Sequence, residues 1–319
     1  MTAHSEVMTM KALRLDAVAT SEATPVEIAL ASDSAMLEPA LVALFSVWRN
    51  TSRAIILHFL GQGLSRAEQR RLETLCGHLG VLLRYHPLSP AAFRKAEQKD
   101  PDISLVTLAR TLLPELVPGR VLYLDCDVLV LGDVAELFDT DLGHASIAAV
   151  RDLRVVELWR DTYHRSDKLR GHVAVMGDYP VTDYFNAGLL LMDCAAIRAT
   201  PGLVEEMQDF ETASRFPLLD QDHLNRLFRG HSRLLGADWN EIWGRSRHRR
   251  RVLREAHLGE GDSRAPRMLH YTGPHKPWKR LRLSTVTRGK LWAFLMYRRA
   301  VRDLRRSEQT WAAGSSARS

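Results

Sequence analysis

Cysteine is scarce: three occur in 319 residues, at Cys76, Cys126 and Cys194. An odd number without metal-binding spacing excludes a disulfide framework or a zinc module, and fits buried thiols in a reducing compartment. Long apolar runs are missing. The longest, Leu41–Trp48, is interrupted by Ser46 and falls far short of the ~20 residues that cross a bilayer. The first twenty residues have neither an apolar h-region nor a small-residue cleavage site, so no secretory signal and a cytoplasmic location are expected. No Gly-x-Gly-x-x-Gly follows a strand pattern and no Walker-type loop occurs, which disfavours dinucleotide-dependent dehydrogenases and P-loop enzymes. Helix-turn-helix, zinc-finger and RNP-like patterns are also missing, so no nucleic-acid partner is expected. There is no internal repeat.

What remains is a globular composition, with 45% hydrophobic and 26% charged residues. The length suits one large domain with an appended tail: a leader over 1–24, a domain over 25–280, and a basic C-terminal helix and tail over 281–319. The net charge of +6 is unevenly spread. Between Arg245 and Arg306 there are 19 Lys/Arg against 4 Asp/Glu, so the rest of the chain is net acidic. Such asymmetry points to an anionic partner for the C-terminal part, or to a solvated basic surface.

Strand and helix patterns alternate from Pro25 onwards. Strands are expected at Val26–Ala31, Ala54–Leu60, Val81–Tyr85, Arg120–Leu124, Ile147–Val150 and Gly188–Met192. Helices are expected at Leu37–Trp48, Ser65–Leu79 with a Ser65/Glu68 capping box, Leu105–Leu116, Ala195–Ser214, Asp220–Phe228 and Lys290–Leu304. Residues 152–180 read as polar, and 244–266 as an irregular, mobile insertion. The alternation predicts an α/β fold with a mostly parallel sheet covered on both faces, and ligands beyond the strands' carboxyl ends.

The most informative stretch is Val121-Leu-Tyr-Leu-Asp-Cys-Asp-Val-Leu-Val130. A buried strand delivers Asp125 and Asp127 at its end, and extended geometry would point both the same way. No Lys or Arg nearby in sequence is an obvious partner. A hard divalent cation, Mn²⁺ or Mg²⁺, would resolve the cost of burying them. Three further segments carry chemistry: Phe185-Asn-Ala-Gly188 opening a strand, Leu219-Asp-Gln-Asp222 beginning a helix, and His270-Tyr-Thr-Gly273-Pro-His-Lys276-Pro-Trp278. The last joins a possible imidazole ligand, a glycine turn and a lysine suited to phosphate.

In this order, over about Val26 to Trp278, these segments resemble glycosyltransferase family 8. That family comprises retaining galactosyl- and glucosyltransferases of GT-A fold, including lipopolysaccharide galactosyltransferases and glycogenin. The resemblance implies a metal held by Asp125, Asp127 and His270, and a nucleotide-sugar donor, expected to be a UDP-hexose, with galactose or glucose transferred. It implies donor contacts from Ala31, Asp33, Arg110, Cys126, Ala187, Gly188, Gly273 and Lys276, besides the metal ligands. Asp152, Asn186, Asp220 and Gln221 would surround the transferred hexose and form the catalytic set. The acceptor would be a saccharide, a lipid-linked glycan or a small molecule. Lipid-linked acceptors in some relatives suggest peripheral membrane contact through the basic C-terminal helix. One segment departs from the family pattern: Ser32-Asp33-Ser34-Ala35-Met36 lacks the usual asparagine and aromatic, which are replaced by Ala35 and Met36.

The rival readings are a nucleotidyltransferase, a nucleotide-sugar hydrolase, and a non-catalytic binding protein that kept the fold. The loop Ala31–Ala35 has no glycine or lysine, unlike the Gly-rich basic loop of nucleotidyltransferases. The complete acidic and imidazole set argues against loss of turnover.

Overall fold

The computed structural model describes residues 24–97, 104–161, 167–259, 265–281 and 286–316. Except for Thr24, the expected leader lies outside them. The first strand, β1 (Val26–Asp33), shows why the sheet is buried on both faces. Val26, Ile28 and Leu30 enter one core cluster, while Ala29 and Ala31 enter the other. Successive side chains of a strand point to opposite faces, so a near-continuous apolar run is what a two-sided core needs. Helix α1 (Leu37–Asn50) covers the first face with fully buried Leu41 and Leu44. Each such leucine is worth about 1.5–3 kcal/mol relative to an exposed one.

β2 (Ile55–Gln62) follows, then α2 (Arg66–Leu79) and β3 (Leu82–Leu88). The expected capping box is present: Ser65 Oγ accepts from Glu68 N, and Glu68 Oε2 accepts from Ser65 N at 2.7 Å. β3 runs three residues past its expected end through Pro87, which is tolerated because this is an edge strand. Next come β4 (Arg120–Leu124), β5 (Val128–Val130), β6 (Ile147–Arg151), β7 (Phe185–Asp193) and β8 (Ser232–Leu235). The large sheet has the order β3-β2-β1-β4-β7-β6-β8. β1 to β4 run parallel, β7 is antiparallel to both neighbours, and β8 is parallel to β6. A second sheet inserts β10 (Met268–His270) between β5 and β9 (Glu241–Ile242).

Several elements differ from expectation. The polar segment contains α3 (Leu153–Arg160) and α4 (Asp167–Met176), the former capped by Asp152. The region expected at Ala195–Ser214 as one helix is three short ones, Cys194–Ala199, Leu203–Met207 and Phe210–Ala213. Pro201 and Gly202, the latter at φ +76°, break the first junction, and Asp209 caps the third helix. The expected helix at Leu105–Leu116 is 3₁₀ over Leu105–Leu112, with one α turn after it. There the Thr107 carbonyl accepts from Arg110 Nε at 2.8 Å.

The supposed irregular insertion at 244–266 holds α5 (Asp220–Phe228)'s successor, α6 (Ser246–Glu255). Arg249 anchors α6: it is 1% exposed and pairs with buried Glu241 at 3.0 Å. The last helix, α7 (Arg288–Ser316), is longer than expected and docks along α1 and α2. Arg49–Asp303 (2.7 Å) and Arg71–Glu308 (3.0 Å) tie it down, while Leu291, Trp292 and Leu295 face outward. Among the described residues, no helix is long and apolar enough to cross a membrane.

Candidate active site

β4 stops at Leu124, and Asp125-Cys126-Asp127 form a turn into β5, not the extended geometry expected of them. The turn is forced because β5 pairs antiparallel with β10, putting Val128 opposite His270. Backbone bonds fix both ends: Asp125 N donates to Gly188 O, and Tyr271 N donates to Asp127 O, each at 2.9 Å. The Cys126 thiol, pushed far up by burial, points away to the Ala31 carbonyl at 3.0 Å.

One donor atom each from Asp125, Asp127 and His270 lies within 4.8 Å of the others. In every case the second polar atom of the side chain is held elsewhere. Asp125 Oδ1 accepts from Tyr123 Oη (2.9 Å) and Arg110 Nη2 (3.1 Å), leaving Oδ2 towards His270. Asp127 Oδ2 accepts from Lys276 Nζ at 2.6 Å, leaving Oδ1 3.2 Å from His270 Nε2. His270 Nδ1 meets Asn240 Oδ1 at 2.9 Å, so Nδ1 carries the proton there and Nε2 turns to the carboxylates. Two carboxylate oxygens and one imidazole nitrogen, each oriented by a second partner, fit a divalent cation. Burial raises the Asp127 pKa, but His270 and Lys276 overcome this and hold it well below the carboxylate range. Burial lowers that of His270, and Asp127 and Asp125 more than reverse it.

The unpartnered reading of the two aspartates is therefore corrected: Arg110 and Lys276 pair with them, from elements remote in sequence. Arg110 is 3% exposed and lies 4.6 Å over the Tyr123 ring. It bonds the Ala187 carbonyl and sits 2.8 Å from Asp220 Oδ2. Burial lowers its pKa, but Asp125 and Asp220 raise it well above the usual value, so it stays charged. Burial lifts Asp220 above its usual value despite Arg110. Arg110 and Asp220 thus form a buried support beneath Asp125, with Thr107 donating to Asp220 at 3.0 Å.

A second cluster adjoins. Gln221 Oε1 accepts from Ala187 N (3.0 Å) and Asn186 Nδ2 (3.1 Å), and its Nε2 donates to Asp152 Oδ2 at 3.2 Å. Asp152 Oδ1 caps α3 through Arg154 N. Asp220 and Gln221 follow Leu219, a non-glycine residue at φ 46°, which marks local strain where α5 begins. Gly188 lies between the clusters. A Cβ there would meet His270 Cε1 at 2.3 Å and Asp125 Oδ2 at 2.8 Å. Lys276 also bonds the Tyr271 carbonyl at 3.0 Å, and Gly273 sits exposed in the same loop at φ +83°. Asp33 is at the carboxyl end of β1, where its Oδ1 accepts from Met36 N at 3.0 Å. Met36 itself packs against the core.

Asn240 is the residue that sequence reasoning missed. It is 6% exposed and joins both clusters, accepting from His270 and donating to Asn186 Oδ1 at 2.9 Å. Its available signal was an amide between Trp239 and Trp243, two aromatics in an otherwise Arg-rich stretch.

The profile of the family described as Glycosyl transferase family 8 matches residues 27–282. Lipopolysaccharide 1,3-galactosyltransferase of Salmonella typhimurium is 25% identical over 265 residues, covering 81% of this chain and 74% of the relative. General stress protein A of Bacillus subtilis is 24% identical over 239 residues, covering 71% and 77% respectively. Among solved structures, the galactosyltransferase LgtC in complex with donor and acceptor sugar analogues is 26% identical, with a TM-score of 0.69. That match covers 87% of this chain and 96% of LgtC.

Proposed function

Since the chain belongs to glycosyltransferase family 8 and is a hexosyltransferase of that family, we propose that it transfers galactose or glucose from a UDP-sugar to a saccharide hydroxyl, with retention and with a divalent metal. The observation that carries this reading is the cluster of Asp125, Asp127 and His270 beside Lys276. Those three side chains would hold Mn²⁺ or Mg²⁺, which supplies charge compensation for the donor's diphosphate.

The rest of the chemistry falls to groups of this chain. The anomeric C–O bond to phosphate breaks and its electron pair leaves with the diphosphate. Lys276, aimed at this cluster, would stabilise that departing charge together with the Gly273 loop. Gly188 leaves room for His270 and Asp125 to close on each other, and the mutually bonded Asn186, Ala187 and Gln221 would flank the sugar. Asp152 orients both of those side-chain amides.

Front-face attack is favoured over a covalent intermediate. Gln221 Oε1 is taken by Ala187 N and Asn186 Nδ2, both Asp152 oxygens accept hydrogen bonds, and Asp220 is buried against Arg110. Each is committed to the internal network, which supports front-face attack. The acceptor oxygen therefore bonds to the anomeric carbon on the face the phosphate leaves, and its proton passes to the departing phosphate oxygen.

The outward residues Leu291, Trp292 and Leu295 among the arginines of α7 support peripheral contact with an anionic bilayer, for a cytoplasmic enzyme. Pelleting with anionic but not neutral liposomes tests that contact.

The donor reading is tested by titrating the protein with UDP, GDP and dTDP, each with Mn²⁺ and with chelator. Metal-dependent preference for UDP is expected. Preference for another base would locate a changed donor class at Ser34, Ala35 and Met36. Absence of binding to all three, in folded protein, would sink the reading.

A further inference from the structure

Lys276 has a second neighbourhood besides Asp127. It lines a recess of about 230 Å³ that includes none of Asp125, Asp127, His270 or Gly188. Three further cations, Arg245, Arg280 and Lys290, line the recess with His275, and among the described residues no aspartate or glutamate does. Ile242 and Trp243 provide an apolar wall. Lys276 is already paired with Asp127, so among the described residues the recess's remaining charge comes from the other three. Arg245 also acts on Glu157, but that carboxylate is held by His248 and Arg154 and lies outside the lining. Gathering like charges around a recess is unfavourable unless an anion enters it.

The backbone holds these cations together. Trp243 and Gly244, at φ 51° and 63°, turn the chain after β9 so that Gly244 abuts Gly289 at the start of α7. A Cβ on Gly289 would meet the Gly244 carbonyl oxygen at 2.2 Å. Arg245 and Lys290 are the residues immediately after these two glycines. The glycine contact therefore sets one cation from the β9 turn beside one from α7, before any ligand arrives. Such pre-organisation lowers the ordering cost of binding.

Size and place define what fits. Pockets for drug-sized ligands span roughly 300–1,000 Å³, so this recess suits one charged group with part of its ring, not a whole nucleotide. It adjoins the leaving-group lysine without including the metal ligands. We propose that the recess binds a phosphate or carboxylate carried by the acceptor, which makes an acidic saccharide or sugar phosphate the acceptor class. The assignment to the acceptor rests on the glycosyltransfer reading; the anion preference rests on the recess alone.

The test titrates the full chain with galacturonate, glucose 6-phosphate and methyl glucoside, alone and in the presence of UDP and Mn²⁺, at low salt. Both acids are expected to bind alongside UDP, and the neutral sugar not at the same concentration. Raising the ionic strength should weaken the acids. The double variant Arg245→Ala/Lys290→Ala should lose about tenfold or more in acid affinity, with UDP affinity unchanged. Arg245→Lys/Lys290→Arg should retain it, which separates lost charge from lost fold. Equal binding of neutral and acidic sugars, or acid binding untouched by the double Ala variant, overturns the proposal. So does displacement of the acids by UDP, which would give the recess to the donor. If UDP binds nowhere while the acids bind and the variant loses them, the donor reading fails and the recess stands as an anion site.

Discussion

Replacing Gly188 by alanine adds one methyl group where the two clusters meet. The new Cβ would stand 2.3 Å from His270 Cε1, 2.8 Å from Asp125 Oδ2 and 3.0 Å from Asn186 Oδ1. Favourable carbon–carbon separation is ~3.5–4.0 Å, so the imidazole would have to move by about 1 Å or more. It cannot move freely, because Asn240 holds Nδ1 and the ring is 3% exposed. The Asp125 carboxylate is likewise fixed through Oδ1 by Tyr123 and Arg110. Two effects follow. Overpacking should cost ~1–3 kcal/mol of stability, and a displacement of this size in a positioned site can cost ~100-fold in activity. Gly188 lies in β7 where the register with β6 shifts, but without a positive φ, so alanine brings no left-handed backbone strain. The assay is Mn²⁺ affinity by electron paramagnetic resonance, with thermal melting as control. A folded Gly188→Ala protein binding Mn²⁺ within twofold of wild type would refute the placement of these three side chains as a metal site.

Asn240→Ala removes the partner that sets the His270 tautomer, and should weaken Mn²⁺ binding by roughly 10–100-fold; calorimetric titration checks this, and an unchanged constant removes Asn240 from that role. Arg110→Met leaves Asp220 buried without its cation and Asp125 without one of its anchors. A loss of ~3–5 kcal/mol is expected, read as a lower midpoint in urea, and a midpoint within error of wild type contradicts the ion-pair reading. Burial lowers the pKa of His58, His86 and His223 below the ordinary 6.5, against the opposing pull of Glu27 on His58. A histidine with a depressed folded pKa contributes stability that is present above 6.5 and lost as pH falls, because the unfolded chain binds the extra proton. The melting temperature should therefore fall as pH drops below 6.5, and less steeply in His58→Asn; parallel slopes would rule His58 out as a cause.

The parallel strands were legible because burial on two faces leaves a near-continuous apolar run, as in β1 and β4. The acidic pair was legible for the same reason, being the first charges after such a run. The partners of that pair were not. Arg110 and Lys276 reach it from a 3₁₀ segment and a late loop, and chain distance hides such pairings. Residues 244–266 misled for a related cause. Arginine is counted as an exposed residue, yet Arg249 is the buried anchor of α6, made possible by Glu241 on a different element. The Ala195–Ser214 segment was over-read because its apolar spacing outweighed Pro201 and Gly202, whose local geometry prevailed.

The small sheet sets an order in time. A chain grows from its N-terminus, so both carboxylates are made well before residue 270, but the turn that sets Asp127 waits for β10 to pair with β5 and for Tyr271 N to reach the Asp127 carbonyl. Until β10 slides between β5 and β9 there is no imidazole beside them, and Lys276 comes later still. Every described strand of the large sheet ends by Leu235, so a chain cut before residue 268 would carry that whole set of strands yet neither His270 nor Lys276. Among the described residues the last strand in the chain, β10, is thus the one that completes the Asp125, Asp127 and His270 group.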